Sequence, residues 1–192
     1  SYFSNLIKSV NKFNDKENLI ITVGRIGLPV KNNLMLLNIA SKINLDNWKI
    51  IFIGPIDERF IPVIDLFFKE NPKLKDKVIF TGQITLKEDL YNWYNRAKIF
   101  CLTSDREGTP TVFAESLYFG LYFLSTACSN TIQSYEKKLK LAETVPINDS
   151  YSMQERLNFL MNNQDILEKQ YLHNINRVAE TFDWDIIINK LI

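Results

Sequence analysis

The sequence predicts an α/β domain built on a doubly wound parallel sheet of the Rossmann-like kind, and three observations carry that prediction. Its strand-like runs, such as Leu19-Ile20-Ile21-Thr22-Val23, Ile50-Ile51-Phe52-Ile53 and Ile99-Phe100-Cys101-Leu102, are continuous rather than alternating. Strands of that kind are buried on both faces by helices. The runs alternate with segments of helical periodicity, the order expected of a parallel sheet with crossover helices. Three of them stop at Gly24-Arg25, Gly54-Pro55 and Thr81-Gly82, where the chain must turn into a loop.

Taken in order, Tyr2 to Phe13 has Phe3, Leu6, Ile7 and Val10 at helical spacing, and Asn14 to Asn18 is a polar break. The first strand, Leu19 to Val23, leads through Ile26-Gly27-Leu28-Pro29-Val30-Lys31 into a helix with Leu34, Leu37, Ile39 and Ile43 apolar. Trp48 to Ile53 is the second strand. A helix from about Glu58 to Lys69 carries Pro62 in its first turn, where proline is tolerated. Val78-Ile79-Phe80 is the third strand, Leu86 to Ala97 a helix and Lys98 to Leu102 the fourth strand. After a further helix, Tyr122 to Ser125 forms a fifth strand. Asn130 to Lys140 reads as a polar stretch before the short apolar Thr144-Val145-Pro146-Ile147. Two helices follow, from about Tyr151 to Met161 and from about Gln164 to Thr181. No internal repeat, low-complexity segment or linker divides the 192 residues, so one domain is expected.

Composition narrows the function classes. The chain is 46% hydrophobic and 23% charged with a formal net charge of +1, so no broad basic field points to nucleic acid. No apolar run approaches the roughly 20 residues needed to cross a membrane, and no signal-peptide pattern opens the chain. A cytoplasmic domain is therefore expected. Two cysteines are too few for a disulfide framework, and Cys101 and Cys128 read as reduced structural residues. The single histidine, His173, stands among polar residues. A histidine-based triad or metal site is not expected. Asp183-Trp184-Asp185 has the D-x-D form of a metal-binding motif. It follows a helix rather than a strand, however, and reads as an N-cap, an anchor and a first-turn charge.

The chemistry concentrates between Ser104 and Gly120, a polar loop leading from a strand into a helix. Thr109 reads as the N-cap, Pro110 as the first helical residue and Gly120 as the left-handed stop. Exposed amides and the dipole at such an N-terminus make an anion site, and Gly108 permits close approach to the backbone. Glu107 lies in the loop. Glu115 lies inside the helix, in an otherwise apolar run from Val112 to Phe119, where a carboxylate is costly unless something hydrogen-bonds it.

Glu107-Gly108-Thr109-Pro110 through Glu115 and Gly120 resembles the E-x7-E signature of retaining glycosyltransferases of the two-domain GT-B type, group 1 (family 4). Val23-Gly24-Arg25 followed by Lys31 is similar to the Val-Gly-Arg turn and lysine of the same family. The resemblance covers about Leu19 to Ile192 and one half of the family's architecture, the C-terminal donor domain. It implies that residues 1–192 form a nucleotide-sugar-binding domain and that the N-terminal acceptor domain is absent from this chain.

Residue by residue, the resemblance implies that Arg25 and Lys31 clamp the diphosphate of a UDP-, GDP- or ADP-sugar. Glu107 then bonds donor-sugar hydroxyls, Gly108, Thr109, Pro110 and Thr111 line the diphosphate site with backbone, and Glu115 takes the ribose hydroxyls. Gly24 belongs to the Val-Gly-Arg turn, and Gly54 and Gly82 correspond to the family's strand-end glycines, with Ile84 beside the base. Catalysis would rest on Glu107, Arg25 and Lys31, with neither cofactor nor metal. One departure stands out: Thr126-Ala127-Cys128-Ser129-Asn130 replaces a Gly-Gly-containing loop, which bears on specificity rather than on fold.

The implied activity of the full-length enzyme is transfer of a sugar to a glycan or lipid-linked acceptor, with retention, in bacterial surface polysaccharide synthesis. The resemblance allows a peripheral association of that enzyme with the inner face of the membrane. Two alternatives stay open at this point: a sugar-nucleotide epimerase of similar fold, and a non-catalytic nucleotide-binding module.

Overall fold

The computed structural model describes residues 10–108 and 110–182. Most of the helix expected from Tyr2, together with Asp183-Trp184-Asp185, lies outside these residues. Where that first helix can be checked it is not formed. Residues 10–12 are irregular and Phe13–Asp15 is a lone 3-10 turn.

Six strands make one parallel sheet: β1 (Leu19–Val23), β2 (Lys49–Ile53), β3 (Val78–Phe80), β4 (Ile99–Leu102), β5 (Tyr122–Thr126) and β6 (Glu143–Val145). Their order is β3-β2-β1-β4-β5-β6, with every pair parallel. The helices are α1 (Asn33–Ala40), α2 (Ile61–Glu70), α3 (Lys87–Arg96), α4 (Thr111–Tyr118), α5 (Asn130–Leu139), α6 (Ser150–Met161) and α7 (Gln164–Phe182).

The continuous apolar strands follow from burial on both faces. Ile20, Ile50, Phe52, Ile99, Cys101 and Leu124 join residues of α1, α2 and α6 in one core. Their neighbours Leu19, Ile21, Ile51, Ile53, Phe100, Leu102 and Phe123 join residues of α3, α4 and α5 in another. Side chains on a strand alternate between faces, so successive residues of the central strands enter one core and then the other. Leu34, expected on the buried stripe of α1, is instead 44% exposed; Met35, Leu36, Leu37, Ile39 and Ala40 carry that packing.

Two elements differ from the sequence reading. The polar stretch Asn130–Leu139 is helical, although Ile132 is its only buried residue. The short apolar run that follows supplies the edge strand β6, which begins at Glu143. Polar residues are tolerated in both because each lies at the rim of the sheet.

α4 also starts later than expected. Its first residue is Thr111, and Pro110 occupies the cap position in extended backbone, with no side-chain cap. A proline ring fixes φ alone, and at −71° it suits this extended residue as well as a helical one. The carbonyl of Pro110 then accepts from the Phe113 amide at 3.0 Å and closes the first turn. At the other end Gly120 has φ +73°, and a Cβ there would lie 2.4 Å from the Tyr171 ring. Only glycine ends this helix and admits α7 against it.

Candidate active site

Every loop leaving the C-terminal edge of the sheet ends on the same side of the molecule, because all strands run parallel. The order reverses between β1 and β4, and ligands in such sheets bind at that switch point. The loops following those two strands meet there. The Asp105 amide donates to the Val30 carbonyl at 2.9 Å, and the Thr103 hydroxyl donates to the Lys31 carbonyl at 3.1 Å.

That seam joins the two charged residues singled out in the sequence. Lys31 Nζ donates to Glu107 Oε1 at 2.7 Å, with the two side chains 29% and 13% exposed. The same oxygen accepts from the Ser104 hydroxyl at 2.6 Å. The loop after β5 supports Glu107 from below: its amide donates to the Cys128 carbonyl at 2.9 Å, and Ser129 Oγ donates to the Gly108 carbonyl at 2.6 Å. Thr126 to Asn130 thus forms the floor of the Glu107 loop. Gly108 is exposed, and a Cβ built there meets nothing within 4 Å, so its backbone is open to a ligand.

The strand-end glycines draw together beside this seam. The Gly24 amide donates to the Ile53 carbonyl at 3.0 Å, and the Gly54 amide to the Gly82 carbonyl at 3.1 Å. A Cβ on Gly54 would lie 2.0 Å from the Gly24 oxygen, and Gly54 has φ +132°. The position accepts glycine alone. Ile84 is half-buried against the α3–α4 core.

Arg25 is exposed, and its charge acts on Asp57 of the loop after β2. No described contact joins it to Lys31 or Glu107. The structure therefore brings together Lys31 with Glu107, and Gly24 with Gly54 and Gly82, and leaves Arg25 beside them. Pro110 is half-buried and Thr111 exposed at the start of α4; Thr109 lies outside the described residues.

Glu115 stands apart from that cluster, and its partner is Tyr94 of α3. Tyr94 Oη donates to Glu115 Oε2 at 2.9 Å. Burial pushes the carboxyl of half-buried Glu115 above the usual range, opposed by the Tyr94 bond and the charge of Lys87. Burial, followed by the Glu115 charge and hydrogen bond, pushes the Tyr94 phenol well up, so it stays a neutral donor. The cost expected of a carboxylate on α4 is met by the protein itself.

Sequence reasoning missed Tyr94, which reads as one more apolar residue on an amphipathic helix. It also missed Asn32, whose amide nitrogen donates to Asp105 Oδ1 at 3.1 Å and to Asn148 Oδ1 at 2.7 Å. Only Ser104, next to the acidic loop, carried a visible signal. Among the described residues, no three His, Cys, Asp or Glu side chains group as a metal site, and no helix is long and apolar enough to cross a membrane.

Comparison with known proteins identifies the family and the fold. A 29% identical relative over 185 residues is the GalNAc-alpha-(1->4)-GalNAc-alpha-(1->3)-diNAcBac-PP-undecaprenol alpha-1,4-N-acetyl-D-galactosaminyltransferase of Campylobacter jejuni. The match takes in 95% of this chain and 48% of that protein, so the chain spans about half the relative's length. Among solved structures, the C-terminal domain of the glycosyl transferase group 1 family protein LpcC from Francisella tularensis superposes with a TM-score of 0.78. That likeness covers 92% of this chain and 95% of that one at 16% identity. HepE from Anabaena, solved in complex with UDP, matches with a TM-score of 0.75 over 92% of this chain and 48% of that one, at 13% identity. Both establish the fold, a GT-B C-terminal half. Residues 3–178 match the family described as glycosyl transferases group 1, and with the switch-point site and the sheet order already in place, the chain belongs to that family.

Proposed function

We propose that this chain is the donor-binding half of a retaining glycosyltransferase, one that moves a sugar from a nucleoside diphosphate to a glycan or lipid-linked acceptor. The observation that carries the reading is the Lys31–Glu107 pair, an ammonium and a carboxylate joined at the switch point beside the open backbone of Gly108. A nucleotide sugar offers a diphosphate for the cation and hydroxyls for the carboxylate. The relative's lipid-linked acceptor supports the acceptor class, and HepE's complex with UDP supports a uridine donor.

In this reading Lys31 keeps its bond to Glu107 and turns its remaining N–H groups to the diphosphate. Glu107 accepts from sugar hydroxyls through its second oxygen. Ser104 and the 126–130 loop keep that carboxylate from swinging away. As the bond between the anomeric carbon and the diphosphate breaks, the leaving group takes the electron pair. Lys31, Arg25 and the first amides of α4 oppose the charge that builds on it. Residues that already point at the departing group stabilise it with little reorganisation. Gly24, Gly54 and Gly82 bring backbone close to the nucleotide, Ile84 lies beside the base and Glu115 takes the ribose. No metal ion has a part in this scheme. The acceptor would bind from the other half of the full-length enzyme, working in the cytoplasm at the inner face of the membrane.

Calorimetric titration of the chain with UDP, GDP and ADP, each with Mg²⁺ or with EDTA, tests the reading. Binding of at least one nucleotide, unchanged by EDTA, is the expected result. Failure of all three to bind at millimolar concentration would remove the donor site.

A further inference from the structure

We propose that Tyr94 is a positioning residue for nucleotide binding: its buried hydroxyl grips one oxygen of Glu115 and so presents the other to the ribose hydroxyls. The inference rests on the donor reading above and adds to it a residue on a different helix.

The geometry gives Tyr94 little freedom. It is fully buried, and its ring stacks on Phe100 at 5.9 Å and on Phe119 at 5.8 Å between centroids. The carbonyls at the end of α3 are held in turn, since Lys16 Nζ donates to those of Tyr94, Asn95 and Ala97 at 3.4, 2.7 and 3.1 Å. A phenol locked in this way can aim its single proton in few directions, and it aims at Glu115 Oε2. Were the hydroxyl only a buried group in need of a partner, a backbone carbonyl would serve. The partner is instead the carboxylate that the donor reading needs.

Charge state is the second half of the effect. A carboxylate accepts from a diol more strongly than a carboxylic acid does, because charge-assisted bonds are the stronger ones. Burial alone drives Glu115 toward its protonated form; the Tyr94 bond and the charge of Lys87, in the first turn of α3, drive it back. Tyr91 faces Tyr94 from the same helix, at 6.4 Å between ring centroids. Removing one oxygen atom, by Tyr94→Phe, therefore makes Glu115 both less fixed and easier to protonate.

The test is titration of the 192-residue chain with UDP from about pH 5 to about pH 8. It uses the wild type, Tyr94→Phe, Glu115→Gln and the double variant. Tyr94→Phe is expected to weaken UDP roughly three- to tenfold at the acid end and less at the alkaline end. In the Glu115→Gln background it is expected to add nothing. Without nucleotide, the carbon-13 signal of the Glu115 carboxyl should titrate at higher pH in Tyr94→Phe than in the wild type. A pH-independent ratio, a full Tyr94→Phe loss in the Glu115→Gln background, or an unmoved carboxyl titration would each overturn the assignment. Wild-type protein that binds no UDP overturns the donor reading and this inference with it. Wild-type binding with unaltered Tyr94→Phe affinity at every pH overturns the inference alone.

Discussion

Asn32 and Asn148, 116 positions apart, are both left-handed residues, and their side chains are bonded to each other at 2.7 Å. Asn32 has φ +45° and stands just ahead of α1, while Asn148 has φ +62° in the turn before α6. The same amide nitrogen of Asn32 reaches Asp105 at 3.1 Å. Three loops of the site edge, following β1, β4 and β6, are thus tied at one side chain adjacent to Lys31. Asparagine suits both posts, since it tolerates the left-handed region better than most residues and carries both a donor and an acceptor.

That knot predicts a particular order of stabilities. Asn148→Ala loses the bond and keeps an unfavourable backbone angle, and should cost about 1–2 kcal/mol. Asn148→Gly loses the bond but relieves the angle, and should cost less. Asn32→Ala and Asn148→Ala together should cost less than the sum of the two, by about 0.5–1 kcal/mol. Urea denaturation of the wild type and these four variants measures this, and simple additivity would show that the bond contributes nothing.

The two glutamates should separate. Glu115→Gln is expected to weaken UDP and UDP-sugar alike, by roughly 1–3 kcal/mol. Glu107→Gln should spare the bare nucleotide, because Lys31, released from its ion pair, stays available to the diphosphate. It should erase the added affinity of the sugar nucleotide and lower turnover in the full-length enzyme. Parallel titrations decide it: equal loss of UDP binding in both variants would misplace sugar and ribose along α4.

Lys16 gives a pH signature. Burial, aided by the nearby charge of Lys98, lowers its amine to about 7, against 10.5 for an ordinary lysine. Between those values the unfolded chain binds more protons than the folded one, so the contribution of Lys16 to stability rises with pH. It is smallest below pH 7 and complete above 10.5. The difference in unfolding free energy between wild type and Lys16→Met should therefore shift in favour of the wild type as pH rises. The slope should not exceed about 1.4 kcal/mol per pH unit. Burial also raises the thiol of Cys101, to about 12, which opposes stability at high pH. That effect is common to both proteins and cancels in the difference. A flat difference from pH 7 to 10 would contradict the assignment.

Two glycines of the site should answer oppositely to alanine. Gly54→Ala would press a methyl into the Gly24 oxygen, 2.0 Å away, at a backbone angle that alanine avoids. A loss of about 3 kcal/mol or more is expected, with loss of UDP binding. Gly108→Ala meets no neighbour within 4 Å. It should change stability by less than about 0.5 kcal/mol and act only on ligand affinity. Thermal unfolding with and without UDP distinguishes the two, and a tolerated Gly54→Ala would refute the close approach.

The strands that build the centre of the sheet were plain in the sequence because burial on both faces leaves them as nearly continuous apolar runs, with few polar residues such as Thr22. β6 was less plain, since an edge strand holding Glu143 and Thr144 lacks that mark. α5 did leave a helical mark, since Ile132, Tyr135 and Leu139 recur at helical spacing and pack on one core, but they stand in a stretch that is otherwise polar and reads as such. In the site, Lys31 and Glu107 were legible as charges at strand ends, and the family resemblance gave them roles. Their bond to each other was not legible, because it depends on two loops 76 positions apart. Tyr94 was the least visible, for a core tyrosine and a tyrosine that grips a carboxylate obey the same helical spacing.

β1 takes β2 on one side and β4 on the other, and the second pairing joins Ile20 and Ile21 to Ile99 and Phe100. Roughly 80 residues must close into a loop before those strands can meet, and entropy opposes such closure before contacts reward it. On a ribosome, Lys31 would emerge well before Glu107 and wait, with one edge of β1 open, until β4 is released. Nucleotide could then first stabilise the protein only after the least local strand pairing is complete. During refolding, binding of UDP should accordingly appear with the slow, sheet-closing phase and not with the early recovery of helix.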